Sequence, residues 1–316
     1  MEKSIVFSLD TPYRERLEIE AFNFGRADAP VSVGVMGSMR GNEVQQTYIC
    51  AQLVNQLRAW EEAGRLNPEV RITVIPSGNS FSMNIASRFW PMDNTDINRM
   101  FPGYDQGETT QRIAAGLFDA LKDCTFGLQL ASYYLPGEFE NHIRMMDVGT
   151  IDMDRAWKVA KSFGFPYAVL KTPAPFDTTT LNYNWQVWGT CAYSIYSAAT
   201  DHIDDASAQG VLTCIERFLG SIGALDTTCA DTPKTRYLQE SSLMNVRTRA
   251  AGFFKRNVNV GDAVKRGDEI ARVLSTEDCH VLETLVSPCT GTVFFRHGPA
   301  MINGETIAFK IAPDEA

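Results

Sequence analysis

Arg40 and Glu43 stand three residues apart in GSMRGNE (37–43), between an apolar run and a long amphipathic segment. The stretch has the form of a strand-to-helix metal-binding turn. Such a turn expects a histidine three residues before the glutamate, and Arg40 fills that place. A guanidinium offers no lone pair to a metal and stays charged. The residue types therefore point to an Arg40–Glu43 ion pair in place of a metal clamp. Histidines that could substitute are few: His142, His202, His280 and His297.

The elements that must position this corner follow from periodicity. VSVGVMG (31–37) is a short apolar run, as a central strand would be. From Asn42 the pattern turns helical, with Val44, Tyr48, Ala51, Leu53, Val54 and Leu57 at threes and fours. Asn42 suits the N-cap. LEIEAFNFG (17–25), EVRITVIPSG (69–78), CTFGLQL (124–130), YAVLK and TCAYSIYSA (190–198) read as further strands. FSMNIASRFW predicts a short helix and a loop. ETTQRIAAGLFDALKD (108–123), DMDRAWKVAKSFGF and DDASAQGVLTCIERFLGSIGAL predict longer helices, and 131–150 reads as irregular around a Pro-Gly turn. Strands alternating with helices give an α/β class: a mainly parallel mixed sheet with helices on both faces.

After about Thr235 short strands and turn glycines take over, which predicts a small C-terminal all-β domain. The expected division is 1–234 and 235–316, with CADTPKTRYLQESS as linker. A net charge of −9 argues against nucleic acid or an anionic membrane surface as partner. The sequence has no apolar run long enough to span a bilayer and no signal-like N-terminus, so the expected location is cytoplasmic. The seven cysteines, an odd number with no C-x-x-C pair, suggest neither a disulfide framework nor a zinc ribbon.

TDINRMFPG (95–103), with SRFWP (87–91) upstream, resembles the D-x-N-R-x-F-P-G signature of the succinylglutamate desuccinylase/aspartoacylase family. The resemblance covers nearly the whole chain and implies a zinc-carboxypeptidase-like fold. It implies a zinc held by His-x-x-Glu and a later strand-end histidine, with a glutamate as general base. In this sequence those places hold Arg40, Glu43, Gln129 (in CTFGLQLAS) and Tyr196 (in YSIYSA). A catalytic zinc needs about three protein ligands and an open position. Glu43 alone does not meet that, and a phenol with a pKa near 10 is a poor proton acceptor at neutral pH. His142, in GEFENHIRMM, follows the third-ligand strand and is the one histidine that could swing in; its plainer reading is an exposed loop residue. Arg144 reads as a surface residue.

The same resemblance assigns Asn98 and Arg99 to a substrate carboxylate, with Arg99 suited to bidentate pairing, and Arg88 to a second substrate-side contact. Arg40 adds a third positive charge and Gln129 a neutral polar group. Met145, Met146, Trp185, Trp188, Tyr133 and Tyr134 read as core or as pocket rim. VNVGDAVKRGDEIARV followed by SPCTGTV resembles a biotinyl/lipoyl-type barrel sandwich with His280 where a carrier has its lysine, so no prosthetic group is expected there.

The resulting expectation is an N-acyl-amino-acid amidohydrolase relative with a degenerate zinc site and no cofactor. It would bind a small anionic molecule, an N-acyl amino acid or a dicarboxylate, with little or no zinc-dependent hydrolysis. The alternative is an active deacylase, using metal on Glu43 with His142 or Gln129, or metal-free with Glu43 as base and Tyr196 at the base position. A third reading is a structural assembly subunit. A homo-oligomer is compatible with all three.

Overall fold

The structure is a computed structural model that describes residues 1–11, 13–133, 136–227 and 233–314. It divides into two compact units. One is Met1–Ser132 with Asn141–Arg236, and the other is Tyr133–Glu140 with Tyr237–Ala316.

The strands of the first part of the chain are β1 (Glu2–Leu9), β2 (Leu17–Phe24), β3 (Val31–Ser38), β4 (Val70–Ser77) and β5 (Phe126–Ala131). They are followed by β6 (Gly137–Phe139), which belongs to the second unit, then β7 (His142–Met146), β8 (Tyr167–Lys171) and β9 (Cys191–Tyr196). The helices are α1 (Val44–Glu62), α2 (Ser80–Asn84), α3 (Thr109–Leu121), α4 (Met153–Ser162), α5 (Leu181–Val187) and α6 (Asp205–Ser221).

The sheet of the first unit runs β1-β2-β4-β3-β5-β9-β7-β8. β4, β3, β5 and β9 are mutually parallel; β1–β2, β2–β4 and β7–β9 are antiparallel. This is the mixed α/β sheet the alternating pattern predicts. Side chains alternate across β5. Phe126, Leu128 and Leu130 join α1, α4 and α6 in one core through Leu53, Leu57, Ala156 and Phe218. Gly127 and Gln129 face the opposite side, where α3 and α5 pack Ile113, Leu117 and Trp185 against Met36, Ile75 and Ala192.

β1 and α5 lie where periodicity assigns no element. β1 is a partly exposed edge strand, registered on β2 from Glu2↔Asn23 to Leu9↔Leu17. α5 is only seven residues long and carries buried Asn182, Asn184 and Gln186, so it has no apolar stripe to read. It is held by Trp185, which is fully buried, donates its indole N–H to Leu121 O at 3.0 Å and lies on Gly127. Burying a side chain of this size contributes roughly 3 kcal/mol.

The stretch 131–150, expected to be irregular, contains β6 and β7. β7 is an interior strand between β9 and β8. Its His142 and Arg144 are polar residues on a sheet face, and in the sequence that looks like loop. Met145 and Met146 are core, as is Trp185, whereas Trp188 is 56% exposed and rests edge-to-face on Phe118.

The second unit is two antiparallel sheets around one apolar core that includes Phe254, Ile270, Val293 and Phe309. One sheet orders Met244–Arg247, Ile307–Pro313, Gly291–His297 and Ala263–Val264, and β6 pairs with its Gly291–His297 strand. The other orders Val281–Val286, Glu269–Leu274, Gly252–Arg256 and Met301–Ile302. Tyr133 belongs to this unit and accepts Lys310 Nζ at 2.6 Å. His280 sits exposed against Asp278, and His297 is buried. The six described cysteines are free; Cys229 and Tyr134 lie outside the described residues. Among the described residues no helix is long and apolar enough to cross a membrane.

Candidate functional site

β3 ends at Ser38, and the chain turns through residues 39–42 into α1. The turn is pinned by close backbone approach. A Cβ on Gly41 would come within 2.3 Å of Ser82 C and Ser87 O, and one on Gly37 within 2.1 Å of Pro76 O. Gly41→Ala is accordingly expected to cost about 3 kcal/mol, because backbone on both sides must move. Urea unfolding measures this, and a loss under about 1 kcal/mol would show that the corner is looser than its contacts imply.

The residue at the N-cap of α1 is Glu43, not Asn42, and its side chain does not cap the helix. It turns back on the corner instead. Glu43 Oε2 accepts Met39 N at 2.8 Å and Arg40 N at 3.0 Å. Oε1 accepts Arg40 Nη1 at 2.8 Å and the Ser132 hydroxyl. Each oxygen therefore takes two donors, which fills the carboxylate. Arg40 in turn gives Nε and Nη2 to Asp96 Oδ2 at 3.1 and 2.9 Å, while Asp96 Oδ1 accepts Asn98 N at 3.0 Å.

The guanidinium is 6% exposed and Glu43 is 2% exposed. Burial alone would lower the Arg40 pKa. The Glu43 and Asp96 carboxylates outweigh it and hold the group above its ordinary value. One cation between two carboxylates, at the carboxyl ends of β3 and β5, is a closed and fully hydrogen-bonded unit.

Arg88 differs. Its carbonyl accepts Gly41 N at 3.2 Å, which seats the residue beside the corner. Its guanidinium makes no ion pair among the described residues and lies 5.4 Å from the Phe89 ring centroid. Burial and then the charge of Arg40 lower its pKa; Glu43 and Asp96 offset this in part, and Arg99 adds to it. Arg88 is thus a half-buried cation whose charged form is disfavoured first by burial. Arg99 also has no carboxylate partner among the described residues. It reaches Phe176 O at 3.5 Å and stands 5.8 Å from the Phe176 ring. Asn98 is buried and its Oδ1 accepts Leu181 N at 3.2 Å, which ties the motif to α5. The five charged side chains of this cluster, three arginines against Glu43 and Asp96, leave one positive charge in excess.

The remaining predicted residues occupy the same sheet face. Gln129 on β5 is 4% exposed and pairs in register with Ser194 of β9. Tyr196 ends β9, buried, in register with Ala131 of β5 and His142 of β7. His142 is no exposed loop residue. It is 4% exposed and stacks on Tyr196 with ring centroids 4.5 Å apart and planes 1° apart. The strand register places it two strands from β5. Arg144 is half-buried rather than on the surface, 4.8 Å from the Tyr196 ring. His202 is exposed and paired with Asp201.

Among the described residues no group of three His, Cys, Asp or Glu side chains converges as a metal-binding set. Sequence reasoning singled out neither Asp96 nor Ser132. Asp96 was legible as the first letter of the D-x-N-R signature; Ser132 carries no sequence signal.

Residues 30–183 match the family model described as the succinylglutamate desuccinylase/aspartoacylase catalytic domain. This segment belongs to the succinylglutamate desuccinylase/aspartoacylase family. The chain is also similar to an N-alpha-acetyl-L-2,4-diaminobutyric acid deacetylase of Halomonas elongata, 24% identical over 304 residues that cover 90% of this chain and 82% of that protein. In fold it is similar to a succinylglutamate desuccinylase/aspartoacylase from Rhodobacter sphaeroides, with a TM-score of 0.79, 19% identity, and 98% and 95% of the two chains covered. It is likewise similar to the product-bound ectoine utilization protein of Ruegeria pomeroyi, with a TM-score of 0.78, 17% identity, and 96% and 92% covered. The matched segment carries the Asp96–Asn98–Arg99 signature.

Proposed function

We propose that this family member binds a small carboxylate at the carboxyl ends of β3 and β5 without zinc-dependent hydrolysis. The observation that carries the reading is Arg40. Its guanidinium occupies the bonding capacity of Glu43 that a metal would use, and brings a permanent positive charge to the place of a cation. Asp96, the other acid in the corner, is held by the same guanidinium. Gln129 supplies only a neutral amide, and His142 is committed to a stack on Tyr196. The donor set does not fit a tetrahedral zinc with an open position.

Arg88 and Arg99 keep the anion-recognising part of the scaffold. Neither has an ion-paired carboxylate among the described residues, and a carboxylate held between them would relieve their mutual repulsion. The similar deacetylase acts on an N-acetylated amino acid by its name, which supports N-acyl amino acids or dicarboxylates as the class to try. A metal-free hydrolysis with Glu43 as base is disfavoured, because all its lone pairs already accept protein donors.

Metal analysis of the purified chain, with thermal unfolding in the presence of short dicarboxylates and N-acyl amino acids, tests this. The expected result is no stoichiometric zinc and an unfolding midpoint raised by acids at millimolar concentration. Zinc near one equivalent, lost in Glu43→Ala, would return the protein to the hydrolases. Indifference to every anion would leave a structural role.

A further inference from the structure

α5 lies on the sheet face that carries Gln129, with its first residue beside Asn98 and its Trp185 on Gly127. Asn182 is one turn nearer the Asn98 end than Trp185, and Gln129 is two residues nearer that end than Gly127. Helix and strand thus bring polar side chains to the same level just below the cluster of arginines.

Asn182 and Gln186 are 2% and 0% exposed, and they share one hydrogen bond, Gln186 Nε2 to Asn182 Oδ1 at 3.1 Å. The other two amide atoms, Asn182 Nδ2 and Gln186 Oε1, are buried with no partner. Exchanging the oxygen and nitrogen of either amide does not remove this. One bond between two amides always leaves one donor and one acceptor. On the facing strands, Gln129 and Ser194 are neighbours in register, 4% and 3% exposed. Buried polar groups left this way are costly, and an open donor and acceptor on the helix whose first residue meets Asn98 point to a ligand.

We propose that the sheet face beneath α5 is a second subsite, taking a neutral carboxamide group of the acid bound at Arg88 and Arg99. This rests on the anion-binding reading above. A carboxamide presents a donor and an acceptor side by side, which matches the open pair on Asn182 and Gln186. A second carboxylate only accepts, and would set its oxygen against Gln186 or Asn182 oxygen. An ammonium only donates and fails in the opposite sense. The ligand is therefore a monoacid monoamide rather than a diacid.

The test uses isosteric pairs: succinate with succinamate, glutarate with glutaramate, adipate with adipamate, titrated calorimetrically into the full chain at constant pH and ionic strength. At the chain length that fits, the monoamide should bind about tenfold tighter than its diacid, although the diacid has the greater charge. In Asn182→Leu with Gln186→Met the preference should vanish while diacid affinity stays within about twofold. If the diacid binds the unaltered protein as well as the monoamide does, the subsite is overturned and the anion site stands. A preference that survives in the double variant also overturns it. If neither compound of any pair binds, the anion-binding reading falls and this one with it. Should the double variant fail to fold, the ratio in the unaltered protein decides alone.

Discussion

Arg40→Met should destabilise the protein by about 3–5 kcal/mol, the range for breaking a buried ion network by removing one partner. At this size that lowers the unfolding midpoint by roughly 10 °C. The cost does not measure what the intact network contributes. It arises because Glu43 and Asp96 keep their charges in a site where the single cation serving both is gone. Glu43, 2% exposed, would retain only the Met39 and Arg40 amides and the Ser132 hydroxyl.

The physical account has a specific consequence. Adding Glu43→Gln and Asp96→Asn to Arg40→Met removes the stranded charges, and should bring stability back to within about 2 kcal/mol of the starting protein. Asn at position 96 can still accept Asn98 N, and Gln at 43 can still accept the turn amides. Urea denaturation of the single and triple variants decides the matter. A single variant that loses less than about 1 kcal/mol, or a triple variant no better than the single, would show that the three charges are not one network.

Arg88→Ala carries the opposite signature. It should weaken binding of a short carboxylate by about 30-fold or more, the scale of one lost charge-assisted hydrogen-bonded pair. It should not destabilise the protein. Burial and Arg40 both disfavour the charged form of Arg88, and Glu43 and Asp96 offset them only in part. Removing the group therefore relieves a cost, and the unfolding midpoint should hold or rise. Arg88→Lys keeps the charge and loses the planar fork, so it should fall between. The weakening should shrink as salt is raised, since added ions screen the same charge. Calorimetric affinity and thermal unfolding on the same preparations check both halves. An Arg88→Ala protein that binds as before would remove the guanidinium from the site, and one that unfolds earlier would assign it a structural role.

Arg40 and Arg88 are both arginines near one corner, and the sequence pairs only Arg40 with an acid, Glu43. GSMRGNE and SRFWP give each a place in the motif. That Arg40 bonds two carboxylates while Arg88 makes no ion pair among the described residues depends on Asp96, 56 residues from Arg40, being carried to the corner. It also depends on Ser132, 89 residues from Glu43, closing the last position on the carboxylate.

The sequence by itself determined the α/β class, the strand-to-helix corner and the small β-domain. These follow from periods of two and 3.6 and from turn glycines, which act between neighbours along the chain. It misread His142 and Arg144, because polar residues on an interior strand have the composition of a loop until the strand's neighbours are known. It passed over α5, whose seven residues are too few to show a period and whose buried residues include three amides beside Leu181 and Trp185. Only the tertiary structure set Tyr196 on His142 and Ser194 beside Gln129. Those contacts join strands adjacent in the sheet and distant in the chain, and the free energy that selects them comes from packing both sheet faces at once, which no local window of sequence contains.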